Sequence, residues 1–167
     1  MEINIVELTS DHLETYKKLI LKGLTVDADC FRITPEDEEA APFPTTGQID
    51  SFTLGAYHHK QLVGVASFKR DGADRMKLRH KGILFKIFVD RDYRQKGIAK
   101  QLIQGIIERS MKIDDLEQIN LTVIPTNEHA KKLYEKFGFK TFASEEKAIK
   151  WQGEYFTEDQ MKLMLRN

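Results

Sequence analysis

The segment Ile87–Lys100, IFVDRDYRQKGIAK, constrains the fold of this chain more than any other stretch. A short apolar run predicts a strand, a charged turn breaks it, and the apolar spacing then restarts at helical period. The turn carries Arg94-Gln95-Lys96-Gly97-Ile98-Ala99. Gly97 permits a positive φ or a close backbone approach, and Ala99 keeps the helix start uncrowded. A helix N-terminus at that point adds unpaired N–H groups and a partial positive charge, which together suit a phosphate. Taken alone, the same glycine would also serve merely to punctuate a strand–helix turn.

The chain of 167 residues predicts one domain, residues 1–167, large enough for a hydrophobic core. Lys plus Arg and Asp plus Glu are both 26, so the formal net charge is zero. That argues against broad electrostatic binding of nucleic acid. The basic loop Arg70, Arg75, Lys77, Arg79 and Lys81 holds no aromatic residue on which a base would stack. No window approaches the apolar length of a membrane span. The first residues, MEINIVELTSDHLE, carry charges where a signal peptide needs an apolar run. With a single cysteine, Cys30, unable to form an internal disulfide, the expected compartment is the cytoplasm. Cys30 is expected to be a packing residue rather than a nucleophile.

Ile3–Leu8 predicts a first strand, and Ser10 is placed to cap a helix with Leu13, Tyr16, Ile20 and Leu24 on one face. Asp27–Gln48 differs: it holds three of the four prolines and the acidic run Glu36-Asp37-Glu38-Glu39. Thr34 before Pro35 predicts a short capped acidic helix there. Strands are expected at Ser51–Tyr57 and Gln61–Lys69 around a tight His58-His59-Lys60 turn, and at Ile83–Val89 with Lys86 interrupting it. A helix from about Gly97 to Lys112 should bury Ile98, Leu102, Ile103, Ile106, Ile107 and Met111. Gln118–Ile124 predicts a strand. A helix opening at Asn127 carries Ala130, Leu133, Tyr134 and Phe137, with Gly138 ending it. Ala148–Trp151 and Gln160–Leu165 are the expected late strands. The order β-α-α-β-β-β-α-β-α-β-β implies a mixed α/β sheet flanked by helices.

This order, together with two motifs, resembles the GNAT family of N-acetyltransferases. The resemblance covers nearly the whole chain and is strongest from Ile83 to Phe139. Arg94-Gln95-Lys96-Gly97-Ile98-Ala99 is similar to the family's Arg/Gln-x-x-Gly-x-Gly/Ala cofactor motif. Arg91 stands where the lead-in to that motif commonly has proline. Asn127–Phe139, NEHAKKLYEKFGF, matches N-x-x-A-x-x-L-Y-x-x-x-G-F at every named position. The resemblance implies a mostly antiparallel central sheet with a splayed pair of parallel strands, and acetyl-CoA as acyl-donor cosubstrate. It implies that the amides of Gln95, Lys96, Gly97, Ile98, Ala99 and Lys100 meet the pyrophosphate, with Arg94 adding charge. Ile87, Phe88 and Val89 would pair with the pantetheine arm like an added strand, and the N–H of Phe88 or Val89 would face the thioester carbonyl. Asn127 would position the cofactor arm, cap its helix, or do both. Tyr134 would protonate the leaving thiolate. Its helical phase equally allows a core tyrosine.

The implied reaction is acetyl transfer to a primary amine of a small molecule or peptide. A free alkyl amine titrates near ~10.4, so a base must take its proton at neutral pH. Family members often place a glutamate on the central strands; here Lys86 lies on the fourth strand and Ile119–Val123 holds no acid. Glu36–Glu39, Asp50, Glu154 and Asp159 are the acids to weigh, each expected to be a solvated surface group. By resemblance Asp27–Gln48 lines the acceptor site, where its acids would suit a polyamine or an amino sugar or else form a solvated helix face, and Phe31, Phe43 and Phe52 would form an apolar wall or equally serve as ordinary packing. No His, Cys or Asp spacing suggests a metal. The competing reading is a catalytically silent acyl-CoA-binding sensor or interaction module. Relatives pairing through C-terminal strands make Gln160–Leu165 the expected edge of a homodimer.

Overall fold

The computed structural model describes residues 1–166. One seven-stranded sheet runs in the order β1-β2-β3-β4-β5-β7-β6. Its strands are β1 (Asn4–Leu8), β2 (Ser51–His58), β3 (Gln61–Arg70), β4 (Lys81–Val89), β5 (Gln118–Val123), β6 (Lys140–Trp151) and β7 (Glu154–Met164). Four helices accompany it: α1 (Leu13–Val26), α2 (Pro35–Ala40), α3 (Ile98–Ser110) and α4 (Glu128–Lys136). All neighbours are antiparallel except β4 and β5. The element order read from the sequence is the one observed.

Two apolar layers hold the sheet. Under α1, Tyr16, Leu19, Ile20 and Leu24 pack on Leu8, Leu62, Val65 and Phe88. Ile98, Leu102, Ile103 and Ile106 of α3 join a larger cluster with Phe52, Phe68, Ile119 and Met161. Each such fully buried side chain contributes about 1.5–3 kcal/mol relative to exposure. Met111, expected on the buried face of α3, lies past its end and is exposed, because the helix stops at Ser110. The turn leading into α1 closes on Thr9, whose N–H donates to His12 Nδ1 at 3.0 Å, so Ser10 is not the cap. Thr34 does cap α2: its hydroxyl accepts from the Asp37 N–H at 3.2 Å while Asp37 accepts from the Thr34 N–H at 2.9 Å.

The late strands are longer than their apolar residues predict. β6 and β7 form one hairpin whose turn, Gln152-Gly153, has both φ positive (49° and 80°), a mirror-type turn that matches strand twist. Lys140–Lys147 is exposed along the sheet edge and gives no apolar alternation, so that half of β6 was invisible. β7 sits between β5 and β6. Of Gln160–Leu165, Gln160–Lys162 is paired on both sides and is no free edge, and Leu165 lies past the end of the strand; the outer edge is β6.

The basic loop between β3 and β4 is tied down. Arg70 is buried and bonds Asp50 and Asp115, each at 2.8 Å, and Arg79 bonds Asp115 at 3.0 Å. No helix among the described residues is long and apolar enough to cross a membrane.

Candidate active site

The central feature of the sheet is an opening. β4 and β5 pair only through Lys81↔Gln118, Gly82↔Ile119 and Ile83↔Asn120. From Leu84 to Val89, β4 has no β5 partner, while β5 continues along β7 to Val123. The divergence coincides with a bulge. Opposite β3 the register jumps from Ser67↔Phe85 to Val65↔Phe88, and Lys86 adopts φ +50°. A non-glycine residue in the left-handed region costs of order 1–2 kcal/mol, so the bend is held by its surroundings.

Ile87, Phe88 and Val89 follow the bulge. Phe88 is buried under α1, close enough that a Cβ on Gly23 would lie 2.8 Å from its ring. The Val89 carbonyl accepts from Arg94 Nε at 2.9 Å. Beyond Val89 the chain makes a 3-10 turn, Arg91–Tyr93, and reaches the loop Arg94–Gly97. Gln95 and Gly97 have φ of +61° and +76°. None of the N–H groups from Gln95 to Lys100 has a backbone acceptor among the described residues; the first that does is Gln101, on Gly97 O at 3.0 Å. Successive free amides in such a turn, continued by the N-terminus of a 13-residue helix, form an anion-binding nest. A Cβ at Gly97 would meet nothing within 4 Å, so the space beside the loop is open. Ile98 is buried against the core and Ala99 half-buried, while Lys100 is exposed.

Arg94, expected to add charge at the pyrophosphate, is engaged elsewhere. Arg94 pairs with Asp27 at the end of α1, which also takes Arg91 at 2.7 Å. Burial alone would push the Asp27 carboxyl up; Arg94 and Arg91 outweigh it and hold the group below its usual range. Lys96 lies over the Tyr93 ring at 5.2 Å and donates to Asp92 O at 3.2 Å. Asp27 thus links the segment after α1 to the Arg94–Ala99 motif.

From the far side, Asn127 Oδ1 accepts from the Ala130 N–H at 3.3 Å and caps α4. Tyr134 is buried, edge-on to Phe139 at 6.0 Å. Burial, with a smaller effect of nearby Cys30, raises its hydroxyl well above the usual phenol range. The group stays protonated through neutral pH and can donate. Cys30 itself is exposed, not the packing residue its composition suggested. Burial of part of its surroundings, followed by Asp27, still raises its thiol.

Two acids expected to be solvated are not. Glu38, on α2, is wholly buried, with Oε2 at 2.7 Å from Lys86 Nζ. Asp159 is buried against Lys131 at 2.7 Å. Asp50 is paired with Arg70, and Glu154 is exposed. Glu158, overlooked in the sequence, is buried and bonded by Arg32 at 3.0 Å. The expected phenylalanine wall divides: Phe31 and Phe43 face Phe88 and Tyr16, at 6.2 and 5.2 Å between ring centres, whereas Phe52 packs on Phe68 in the other apolar layer. A chain of hydroxyls, Thr45–Thr53–Ser67 with 2.8 Å steps, pins the loop after α2 to β2 and β3. Among the described residues no three His, Cys, Asp or Glu side chains gather as a metal site.

The site is a mixed sheet parted between two parallel strands, with a nest of unpartnered amides at the mouth of the opening. Residues 22–139 match the family model described as acetyltransferase (GNAT) family, and the chain belongs to that family. Over 87 residues it is 29% identical to a spermine/spermidine N(1)-acetyltransferase of Bacillus subtilis. The match spans 52% of this chain and 57% of that protein. A GNAT-family acetyltransferase from Streptococcus pneumoniae superposes with a TM-score of 0.84 at 23% identity, covering 98% of this chain and 99% of the other. A Salmonella typhimurium structure determined with its cofactor acetyl-CoA gives 0.81 at 14% identity, covering 100% and 96%.

Proposed function

We propose that this protein transfers the acetyl group of acetyl-CoA to a primary amine of a small cationic acceptor, a polyamine first among them. The observation that carries the reading is the parting of β4 from β5 directly before a loop of unpartnered amides. Gln95–Lys100 would take the pyrophosphate on those amides, and Ile87–Val89 would offer the unpaired strand edge to the pantetheine amides. Arg94 serves there only after leaving Asp27, or else acts by holding Val89. Asn127 caps α4 and so fixes the direction from which Tyr134 arrives. Tyr134, whose phenol is protonated at neutral pH, gives its proton to the thiolate as the carbon–sulfur bond breaks. The polyamine preference draws on the Bacillus subtilis relative and on the buried acids Glu38, within the segment Asp27–Gln48, and Glu158, bonded to its Arg32.

The test is thiol release from acetyl-CoA by the purified protein over a panel of spermidine, spermine, amino sugars and peptide amines. The account predicts release with the polyamines. Binding of acetyl-CoA with no release from any amine would instead assign an acyl-CoA-binding module.

A further inference from the structure

The two halves of the proposed site are unequally satisfied. Glu38 has one carboxylate oxygen on Lys86 Nζ, and its Oε1, fully buried, has no partner. The hydroxyl of Tyr16, also fully buried, has none either. α1 packs against α2, the Tyr16 ring stands 5.2 Å from Phe43 just beyond α2, and Glu38 adds to the rise of the Tyr16 hydroxyl, second to burial. Buried polar atoms are nearly always paired, and an unpaired carboxylate oxygen is among the costliest exceptions. Glu38 Oε1 lacks a donor, and the Tyr16 hydroxyl lacks an acceptor for its proton; an amine bearing both N–H and a lone pair can serve either. Glu38 is anchored through Lys86 to the bulge where β4 leaves the sheet, one residue before Ile87.

We infer that Glu38 receives the acceptor nitrogen: Oε1 accepts an N–H of the incoming amine and takes its proton, while Lys86 holds Oε2 and the Tyr16 hydroxyl completes the cradle. This rests on the acetyltransferase reading. The charged and titratable groups around Glu38 are few. Lys86 faces it from β4 and Tyr16 from α1; Lys17 of α1 is spent on the Glu39 carbonyl at 2.8 Å. On α2 itself Glu36 and Glu39 are exposed, and Asp37 turns back to Thr34. An ammonium bound at Oε1 therefore shares one buried carboxylate with the Lys86 ammonium. Like charge and desolvation both favour loss of its proton. Lys86 is thus a positioning residue with an electrostatic role, and it stands on the central strand where relatives often carry the acid.

The step balances. The ammonium passes one proton to Glu38, and the freed lone pair forms the carbon–nitrogen bond at the thioester carbonyl. The carbon–sulfur bond breaks, and the thiolate takes the Tyr134 proton. The new amide nitrogen sheds its extra proton, which restores Tyr134, and Glu38 releases its own to solvent.

The experiment measures amine binding and turnover in the acetyl-CoA-loaded protein with 1,4-diaminobutane as probe. Glu38→Gln is expected to lower kcat/KM about 10²-fold or more with acetyl-CoA affinity unchanged. Lys86→Met should move the limb of the kcat–pH profile that reports amine deprotonation up by about one pH unit. Tyr16→Phe, which only removes an unpartnered hydroxyl, keeps the fold and should raise KM several-fold. A structural Glu38–Lys86 pair would lower Tm in both charge variants and leave KM and the pH limb in place, overturning the inference. So would a KM unmoved by Tyr16→Phe, the outcome if a buried water alone fills the cradle. If the wild type binds the diamine without turnover, the acetyltransferase reading fails, and lost binding in Glu38→Gln still upholds the cradle. If the wild type binds no amine, the inference falls.

Discussion

Tyr134 and Gly97 carry opposite kinds of demand. On the proposed reading Tyr134 donates a proton, which its phenol carries throughout neutral pH, with burial raising its pKa further. Tyr134→Phe preserves the ring packing on Phe139 and is expected to lower kcat by roughly 10–10³-fold with acetyl-CoA binding unchanged. Steady-state kinetics beside calorimetric cofactor titration checks it; an unchanged kcat removes the hydroxyl from the chemistry. Gly97 needs no space, since a Cβ there meets nothing, but it sits at φ +76°. Gly97→Val strains the loop by about 1–2 kcal/mol and turns its amides away, so acetyl-CoA Kd should rise about tenfold or more. The motif residues were legible in the sequence because their chemistry is local: a turn, a helix start, a cap. Glu38 and Asp27 were not, because their meaning lies in partners 48 and 64 or 67 positions away. A capped acidic helix reads as solvated until something shows which of its acids turns inward.

At the scale of elements, β4 is squeezed from above. Its Phe88 ring leaves no room over Gly23 of α1, where a Cβ would approach to 2.8 Å. Gly23→Ala should force α1 off the strand, costing about 1–3 kcal/mol and raising KM for acetyl-CoA through Phe88. Thermal melts and kinetics together test this; a neutral Tm would show that α1 shifts freely. A second element-level contact fastens the start of β4. Asp115, bonded first by Arg79 and then by Arg70, has its carboxyl lowered from 3.8 to about 2. A depressed folded-state pKa stabilises above the unfolded value and loses that contribution as pH falls through the folded one. The latch is therefore complete above pH 3.8 and lost toward pH 2. Asp115→Asn should flatten the acid limb of Tm against pH across that window, and an unaltered limb would contradict the latch. Elements with a buried face were readable from their apolar spacing. The first half of β6 and the bulge at Lys86 were not: one is exposed on both sides, and the other is a backbone event carried by a single lysine.

Across the whole molecule the order of elements was legible, because each connection leaves a local mark of turn, cap or apolar period. The parting of β4 from β5 left none. It came through family resemblance and stands in the structure as three paired positions followed by divergence. That opening divides the sheet into a half covered by α1 and α2, with Glu38 and Tyr16, and a half carrying α4 with Tyr134. On the proposed reading the acid Tyr134 and the base Glu38 come from opposite sides of one gap, and the account stands on their meeting there. The most direct measurement is mass analysis of an acetyl-CoA reaction with a polyamine, counting acetylated amine against free thiol. The account predicts mono-acetylated polyamine and thiol in equal amounts, both abolished without the protein. Tight acetyl-CoA binding with no acetylated amine from any acceptor would contradict it.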